Sequence, residues 1–243
     1  MKGIALTDRG MVRKNNEDTV YCSVDKVGSI PNLFVVADGM GGAKAGEYAS
    51  SFIIKNMVSL IKSETQTKDH SMTIRRAIEG ANALLFRESK RDPELRGCGT
   101  TLVAAMIDKN HLHVANVGDS RLYIISDHIE QITKDHSYVE EMVAKGCMVR
   151  GSRDYISNKN IITRAVGIEK TVDIDFFTKE IKGDETILLC TDGLSNMLED
   201  EDIFNIITTS SSVEEAGHRL ISAANEHGGV DNVSVVLASD LKE

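Results

Sequence analysis

Three aspartates at the ends of apolar runs are the residues of this chain best placed to do chemistry. Asp38, followed by Gly39, closes the run Leu33-Phe34-Val35-Val36-Ala37. Asp192, followed by Gly193, comes just after Ile187-Leu188-Leu189-Cys190, and Asp231, followed by Asn232, opens onto Val233-Ser234-Val235-Val236-Leu237. Carboxylates carried on strand ends can share a cleft, and clustered carboxylates bind hard divalent cations such as Mg²⁺ or Mn²⁺. The implied chemistry is metal-assisted and directed at phosphate. A phosphomonoester dianion resists attack by water; two cations about 3.5–4 Å apart lower the pKa of a bridging water and counter charge in the transition state. An arginine nearby would suit phosphate, because its planar fork donates two hydrogen bonds at once.

The elements that must position these residues are legible from periodicity and turn residues. Strands are expected over 3–7, 18–24 and 33–38, and again over 100–107, 112–117, 121–125 and 129–133. Helical spacing marks 45–62, with Ala49, Phe52, Ile53, Met57, Leu60 and Ile61 on one face, and 73–89, with Ile74, Ala77, Ile78, Ala81, Leu84 and Leu85. Gly41 and Gly42 suit a sharp turn into the first helix. Ser137 with Glu140 reads as a capping box opening a helix through Lys145. A loop follows from Gly146 to about Asn160, then strands over 172–181 and 186–190, helices over 200–208 and 213–226, and the last strand. Regular βαβ alternation is missing, so antiparallel sheets covered by helices fit better than a doubly wound parallel sheet.

The chain has 243 residues, enough for a large core, and neither its two prolines nor any low-complexity stretch marks a linker, so one domain over 1–243 is expected. A net charge of −9 argues against sequence-independent nucleic-acid binding, which relies on Lys and Arg neutralising phosphates. No secretory h-region and no membrane-length apolar run is present, so a cytoplasmic protein away from membranes is expected. The four cysteines, Cys22, Cys98, Cys147 and Cys190, form no C-x-x-C pair. His111, His113, His128 and His136 are not spaced as a zinc set.

Six motifs, taken together, carry a resemblance. They are Arg13-Lys14-Asn15-Asn16-Glu17-Asp18, Asp38-Gly39-Met40-Gly41-Gly42, Gly97-Cys98-Gly99-Thr100-Thr101, Gly118-Asp119-Ser120-Arg121, Thr191-Asp192-Gly193-Leu194 and Asp231-Asn232-Val233. In order and identity they resemble the metal-dependent Ser/Thr protein phosphatases of the PPM or type 2C family, the bacterial branch most closely, over about residues 3–239. The resemblance implies an α+β fold, a four-layer α-β-β-α sandwich of two antiparallel sheets flanked by helices. It implies two Mn²⁺ or Mg²⁺ ions between the sheets, and direct attack by activated water without a phosphoenzyme.

By motif, Asp38 resembles the ligand that bridges both ions, Gly39 a ligand through its carbonyl, and Asp192 and Asp231 ligands of one ion. Glu17 and Asp18 resemble the acidic pair that holds metal-bound waters, and Arg13 the phosphate-binding arginine. Asp119 matches the position that, with Asp192, holds a third ion in bacterial members. Some members carry a histidine at position 40 as general acid; Met40 stands here, which leaves that role unassigned. The implied partners are phosphorylated proteins and an opposing Ser/Thr kinase, with the enzyme acting as a monomer.

Each residue taken singly has an ordinary reading: Arg13 a solvated charge, Asp119 a turn residue, Glu17-Asp18 a strand start, Thr100 and Thr101 plain strand residues. Other functions compete as well. A binding-only relative would lose a metal aspartate, and this chain keeps all three. A phosphatase for small metabolites would show the same metal residues. A phosphatase with a nucleophilic aspartate would need an early D-x-D, and Asp173-x-Asp175 comes late. The segment 145–164 matches the family's flap. Lys145, Arg150, Arg153, Lys159 and Arg164 face one acid, Asp154, which suggests a mobile basic loop that selects protein substrates.

Overall fold

Apolar runs without alternation are explained by sheets covered on both faces. In β3 (Leu33–Met40), Phe34 and Val36 point into a core between two sheets, while Leu33, Val35 and Ala37 point into a second core under helices. The same division holds in β5 (Leu102–Asp108), where Val103, Ala105 and Ile107 face the inter-sheet core and Leu102, Ala104 and Met106 the other. In β10 (Thr186–Cys190), Ile187 and Leu189 face inward, and Leu188 and Cys190 face a third core. The computed structural model describes residues 1–64 and 69–241.

Among these residues the strands form two antiparallel sheets. One runs β1-β11-β10-β7-β8, from β1 (Lys2–Asp8), β11 (Val233–Ser239), β10, β7 (Arg121–Ile125) and β8 (Ile129–Gln131). The other runs β2-β3-β5-β6-β9, from β2 (Asp18–Ser23), β3, β5, β6 (His111–Val117) and β9 (Asp175–Glu180), with the short β4 (Gly99–Thr100) paired to β3. Helices α1 (Ala43–Ser63) and α2 (His70–Arg91) cover the second sheet. Helices α6 (Asp200–Thr208) and α7 (Val213–Glu226) cover the first. The result is the four-layer α-β-β-α sandwich expected. Among the described residues no helix is long and apolar enough to cross a membrane.

Several boundaries differ from expectation for physical reasons. The strand expected over 172–181 begins only at Asp175, because its partner β6 ends at Val117 and the ladder stops at the pair Asn116–Asp175. Val172 and Ile174 are apolar because they pack on the α1–α2 core, not because they pair. The strand expected to reach Thr133 stops at Gln131; the Thr133 hydroxyl accepts the Leu122 N–H at 3.0 Å in place of a ladder bond. The loop from Gly146 holds a six-residue helix, α4 (Arg153–Asn158), capped by Ser152. It buries no residue, so no apolar periodicity announced it.

Half of the capping box is also corrected. Ser137 accepts the Glu140 N–H at the start of α3 (Tyr138–Ala144), but the Glu140 carboxylate turns away to Arg150 and Tyr155. The segment containing α3 and α4 leaves β8, the edge of one sheet, and returns at β9, the edge of the other.

Candidate metal centre

Strand ends and turns at one end of the sandwich gather the predicted carboxylates. Asp18 starts β2 directly opposite Asp38 in β3. Asp192 follows β10 and begins a single helical turn, α5 (Asp192–Ser195); Asp231 precedes β11; Asp119 lies in the turn that carries the chain from β6 to β7 and so from one sheet to the other. A cleft of about 290 Å³ is lined by Arg13, Glu17, Asp38, Gly39, Asp119, Asp192 and Asp231, together with Met40, Thr101, Asn160, Ile162 and Asn232. Asp18 lies beneath it, buried, with Oδ2 accepting the Thr191 hydroxyl at 2.8 Å. All the predicted site residues therefore converge.

Backbone approach at this end demands glycine. A Cβ on Gly39 would meet the Gly46 carbonyl oxygen at 2.1 Å and that of Glu17 at 2.5 Å; a Cβ on Gly46 would meet the Glu17 carboxylate at 2.0 Å. Strand β3, helix α1 and the Glu17 loop can touch here because two side chains are missing. Gly41 and Gly42 turn the chain into α1 with φ of 125° and 89°, as the sequence suggested.

The electrostatics are those of crowded like charge. Burial, then the neighbouring carboxylates Asp18, Asp192, Asp119 and Asp231, hold Asp38 well above the usual carboxylate range. Burial and then Asp192 and Asp135 push Asp119 up to about 8, against weaker opposing contacts. Burial raises Asp18 to about 7 despite hydrogen bonds from Ser234 and Thr191, and burial followed by Asp231 raises Asp192. The Oδ1 atoms of Asp18 and Asp192 are buried without a hydrogen-bond partner. The counter-charge at the mouth is Arg13, whose guanidinium donates to Asp231 Oδ2 at 2.6 Å.

Hard oxygen donors, orphaned oxygens and excess negative charge fit a divalent cation. Among the described residues no three His, Cys, Asp or Glu side chains close around one point as a finished cage. Mg²⁺ and Mn²⁺ keep several waters and take few protein ligands, so an open arrangement is what they use.

Residues 12–228 match the sequence profile of the family described as protein phosphatase 2C. The chain belongs to that family. It is 35% identical over 237 residues to the serine/threonine phosphatase stp of Listeria monocytogenes, covering 95% of this chain and 92% of that protein. The crystal structure of a bacterial serine phosphatase superposes with a TM-score of 0.92 at 33% identity, covering 100% of this chain and 99% of the other. The catalytic domain of the serine/threonine protein phosphatase PstP, crystallised in complex with two manganese ions, superposes with a TM-score of 0.84 at 35% identity, covering 98% and 97%.

In this protein phosphatase 2C, residues that sequence reasoning passed over hold the aspartates in place. The Asp38 N–H donates to the Thr101 hydroxyl at 3.0 Å, the Thr101 hydroxyl meets that of Ser120 at 2.7 Å, and the Thr100 hydroxyl donates to the Asp38 carbonyl at 2.8 Å. Asn196 donates to Asp192 Oδ2 at 2.9 Å and is itself held by the Lys159 ammonium at 2.9 Å. Asn232 accepts the Glu17 N–H at 2.8 Å and donates to the carbonyls of Arg9 and Asn15 at 2.8 and 2.9 Å. That one side chain joins the loop carrying Arg13 and Glu17 to the loop carrying Asp231. The signal for Thr101 and Asn232 was their place inside two of the six motifs.

Proposed function

We propose that this protein phosphatase 2C hydrolyses phosphoserine and phosphothreonine in proteins at a centre that takes two Mn²⁺ or Mg²⁺ ions. The observation that carries the reading is the convergence of Asp38, Asp119, Asp192 and Asp231 on one cleft with Arg13 at its mouth. The serine/threonine phosphatase activity named for the similar proteins, and the two manganese ions of the PstP domain, support it. Cations bound here supply a water of lowered pKa and offset the charge that builds on the phosphoryl oxygens.

The protein's own parts follow. Asp38 is carried by one sheet and Asp192 and Asp231 by the other, so these three would hold the cations from both sides of the sandwich. The Gly39 carbonyl adds a neutral oxygen. Glu17 and the buried Asp18 would accept hydrogen bonds from waters of the bound cations, and Asp119 with Asp192 would hold a third cation. Arg13, near enough to pair with Asp231, binds two phosphate oxygens as a fork. Met40 lines the cleft with no proton to give, so the leaving alkoxide takes its proton from elsewhere. Residues 1–243 act as one catalytic domain with a flap over about 145–164, as a monomer in the cytoplasm, opposing a Ser/Thr kinase.

The test is turnover of a phosphothreonine peptide against a panel of sugar and nucleotide phosphates, after chelation and after Mn²⁺ or Mg²⁺ is returned. Chelation should stop turnover, either metal should restore it, and the peptide should be preferred. Activity that survives chelation overturns the metal centre; preference for a metabolite overturns the substrate class.

A further inference from the structure

His136 lies outside the cleft, 6% exposed, at the junction of three segments that shape it. Its backbone N–H donates to the Gly118 carbonyl at 2.9 Å, and its ring Nδ1 is 3.1 Å from the Gly118 N–H. An amide N–H can only donate, so Nδ1 is the bare, accepting nitrogen and the ring proton is on Nε2. Nε2 then donates to Asp175 Oδ2 at 3.1 Å. Arg164 approaches the same nitrogen at 3.4 Å, but both groups are donors, and it is the Asp175 carboxylate that joins them, its Oδ1 accepting from Arg164 at 2.8 Å.

The third segment is the end of the flap. The Thr163 N–H donates to the His136 carbonyl at 2.8 Å, next to Ile162 in the cleft wall. On the other side of Gly118 the clamp continues inward. Asp119 comes next in the chain, and Ser120 after it bonds the Thr101 hydroxyl that holds the Asp38 amide. Gly118 itself has φ of 107°, and a Cβ there would meet the Thr101 side chain at 2.6 Å, so this turn has one seat.

We propose that His136 is a positioning residue for Asp119: its imidazole, fixed as the Nε2–H tautomer between Asp175 and the Gly118 amide, seats the turn that presents the Asp119 carboxylate and ties that turn to the end of the flap. The proposal rests on the reading of the cleft as a phosphatase centre. Partners that orient the groups around a metal typically matter by about 10–100-fold in affinity or activity when removed.

Two variants separate the ring's two contacts. His136→Asn keeps an acceptor at the δ position for Gly118; His136→Gln keeps a donor at the ε position for Asp175 and loses the acceptor. Hydrogen exchange of the Gly118 amide in metal-free protein is the readout that does not depend on activity. Slow exchange in the wild type and in H136N, with fast exchange in H136Q, supports the clamp. Turnover of a small aryl phosphate with Mn²⁺ should follow the same order. H136N should stay within about threefold of wild type, while H136Q should lose about tenfold in kcat with little change in KM. Equal losses in both variants, or full turnover in H136Q, overturn the proposal. So does a ¹⁵N spectrum of the wild-type ring with the proton on Nδ1, a measurement that stands even where a variant fails to fold. A wild-type protein with a protected Gly118 amide and no metal-dependent turnover would instead defeat the phosphatase reading.

Discussion

At the scale of single residues, the aspartates and Arg13 should separate cleanly in kinetics. Asp38→Asn, Asp192→Asn and Asp231→Asn each remove a carboxylate charge from the cleft, and if the three are metal ligands as proposed, turnover at saturating Mn²⁺ should fall by at least about 100-fold while circular dichroism is unchanged. The same change at Asp38 also removes an acid that burial and the neighbouring carboxylates hold well above the usual carboxylate range, and with it the cost of either ionising or protonating that group on folding. Metal-free Asp38→Asn should therefore melt above metal-free wild type at pH 8, the reverse of the usual direction for an active-site substitution. Arg13→Ala should act mainly on KM, by about tenfold, which is what loss of the proposed charge-assisted fork on the phosphate requires. Asn232→Ala is expected to do both kinds of damage. It removes three hydrogen bonds, one from the Glu17 N–H and two to the Arg9 and Asn15 carbonyls, each worth about 0.5–1.5 kcal/mol net. Urea unfolding should register roughly 2–4 kcal/mol, and turnover should fall as the Arg13 loop loosens.

At the scale of elements, the flap is where sequence and structure part company most. Its basic residues looked like a free positive stretch. In the structure Arg150 is gripped by Glu140 at 2.5 and 3.1 Å, with the Tyr155 hydroxyl on the same carboxylate; Lys145 pairs with Glu141, Arg164 with Asp175, and Lys159 bonds Asn196. Arg153 is exposed on α4. The two arginines should thus behave differently. Arg150→Ala should loosen α4 against α3 and raise the flap's susceptibility to limited proteolysis. Arg153→Ala should leave proteolysis alone and lower kcat/KM for an acidic phosphoprotein while sparing a small aryl phosphate; equal losses on both substrates would count against a selecting role.

Most strands, with α1, α2, α6 and α7, were legible because each packs a periodic or continuous apolar set; β4 is only two residues long, and β8 and β9 bury no residue, which blurred their bounds. The flap helix and the turn at Asp192 were not, because α4 buries no side chain and α5 spans four residues. The same contrast holds in the site. Asp38, Asp192 and Asp231 were visible as acids placed against apolar runs. Thr101 and Ser120 were visible only as members of motifs, without a role, and Asn196 and His136 not at all, because a hydroxyl, amide or imidazole acquires its meaning only from the partner the fold gives it.

At the scale of the whole molecule, the cleft is a store of unfavourable charge that a cation relieves. Asp18 and Asp119 are raised to about 7 and about 8, and Asp38 and Asp192 are raised as well. Acids with a folded pKa above the unfolded value near 4 bind more protons when folded, so stability falls as pH rises from about 4 through about 8. In EDTA the melting temperature should drop between pH 5.5 and pH 8.5, by roughly 5–10 °C for a chain of this size. With Mn²⁺ present the slope should flatten and the curve rise, since binding to the folded state alone stabilises it. A pH-independent melting temperature in EDTA would contradict this account of the carboxylates.

The pairing of β1 with β11, and the grip of Asn232 on the Arg9–Glu17 loop, also set a timetable during synthesis. Among the described strands β1 has no sheet neighbour except β11, and the Met11 amide waits for the Gly229 carbonyl. Strand β1 therefore has no seat until β11 emerges from the ribosome, on the order of 10–50 s later at ordinary elongation rates. A stalled or prematurely ended chain can carry the α1–α2 half of the sandwich and still have no cleft in which to gather metal. Chains cut short before Asn232 should accordingly show no metal-dependent turnover of a phosphothreonine peptide.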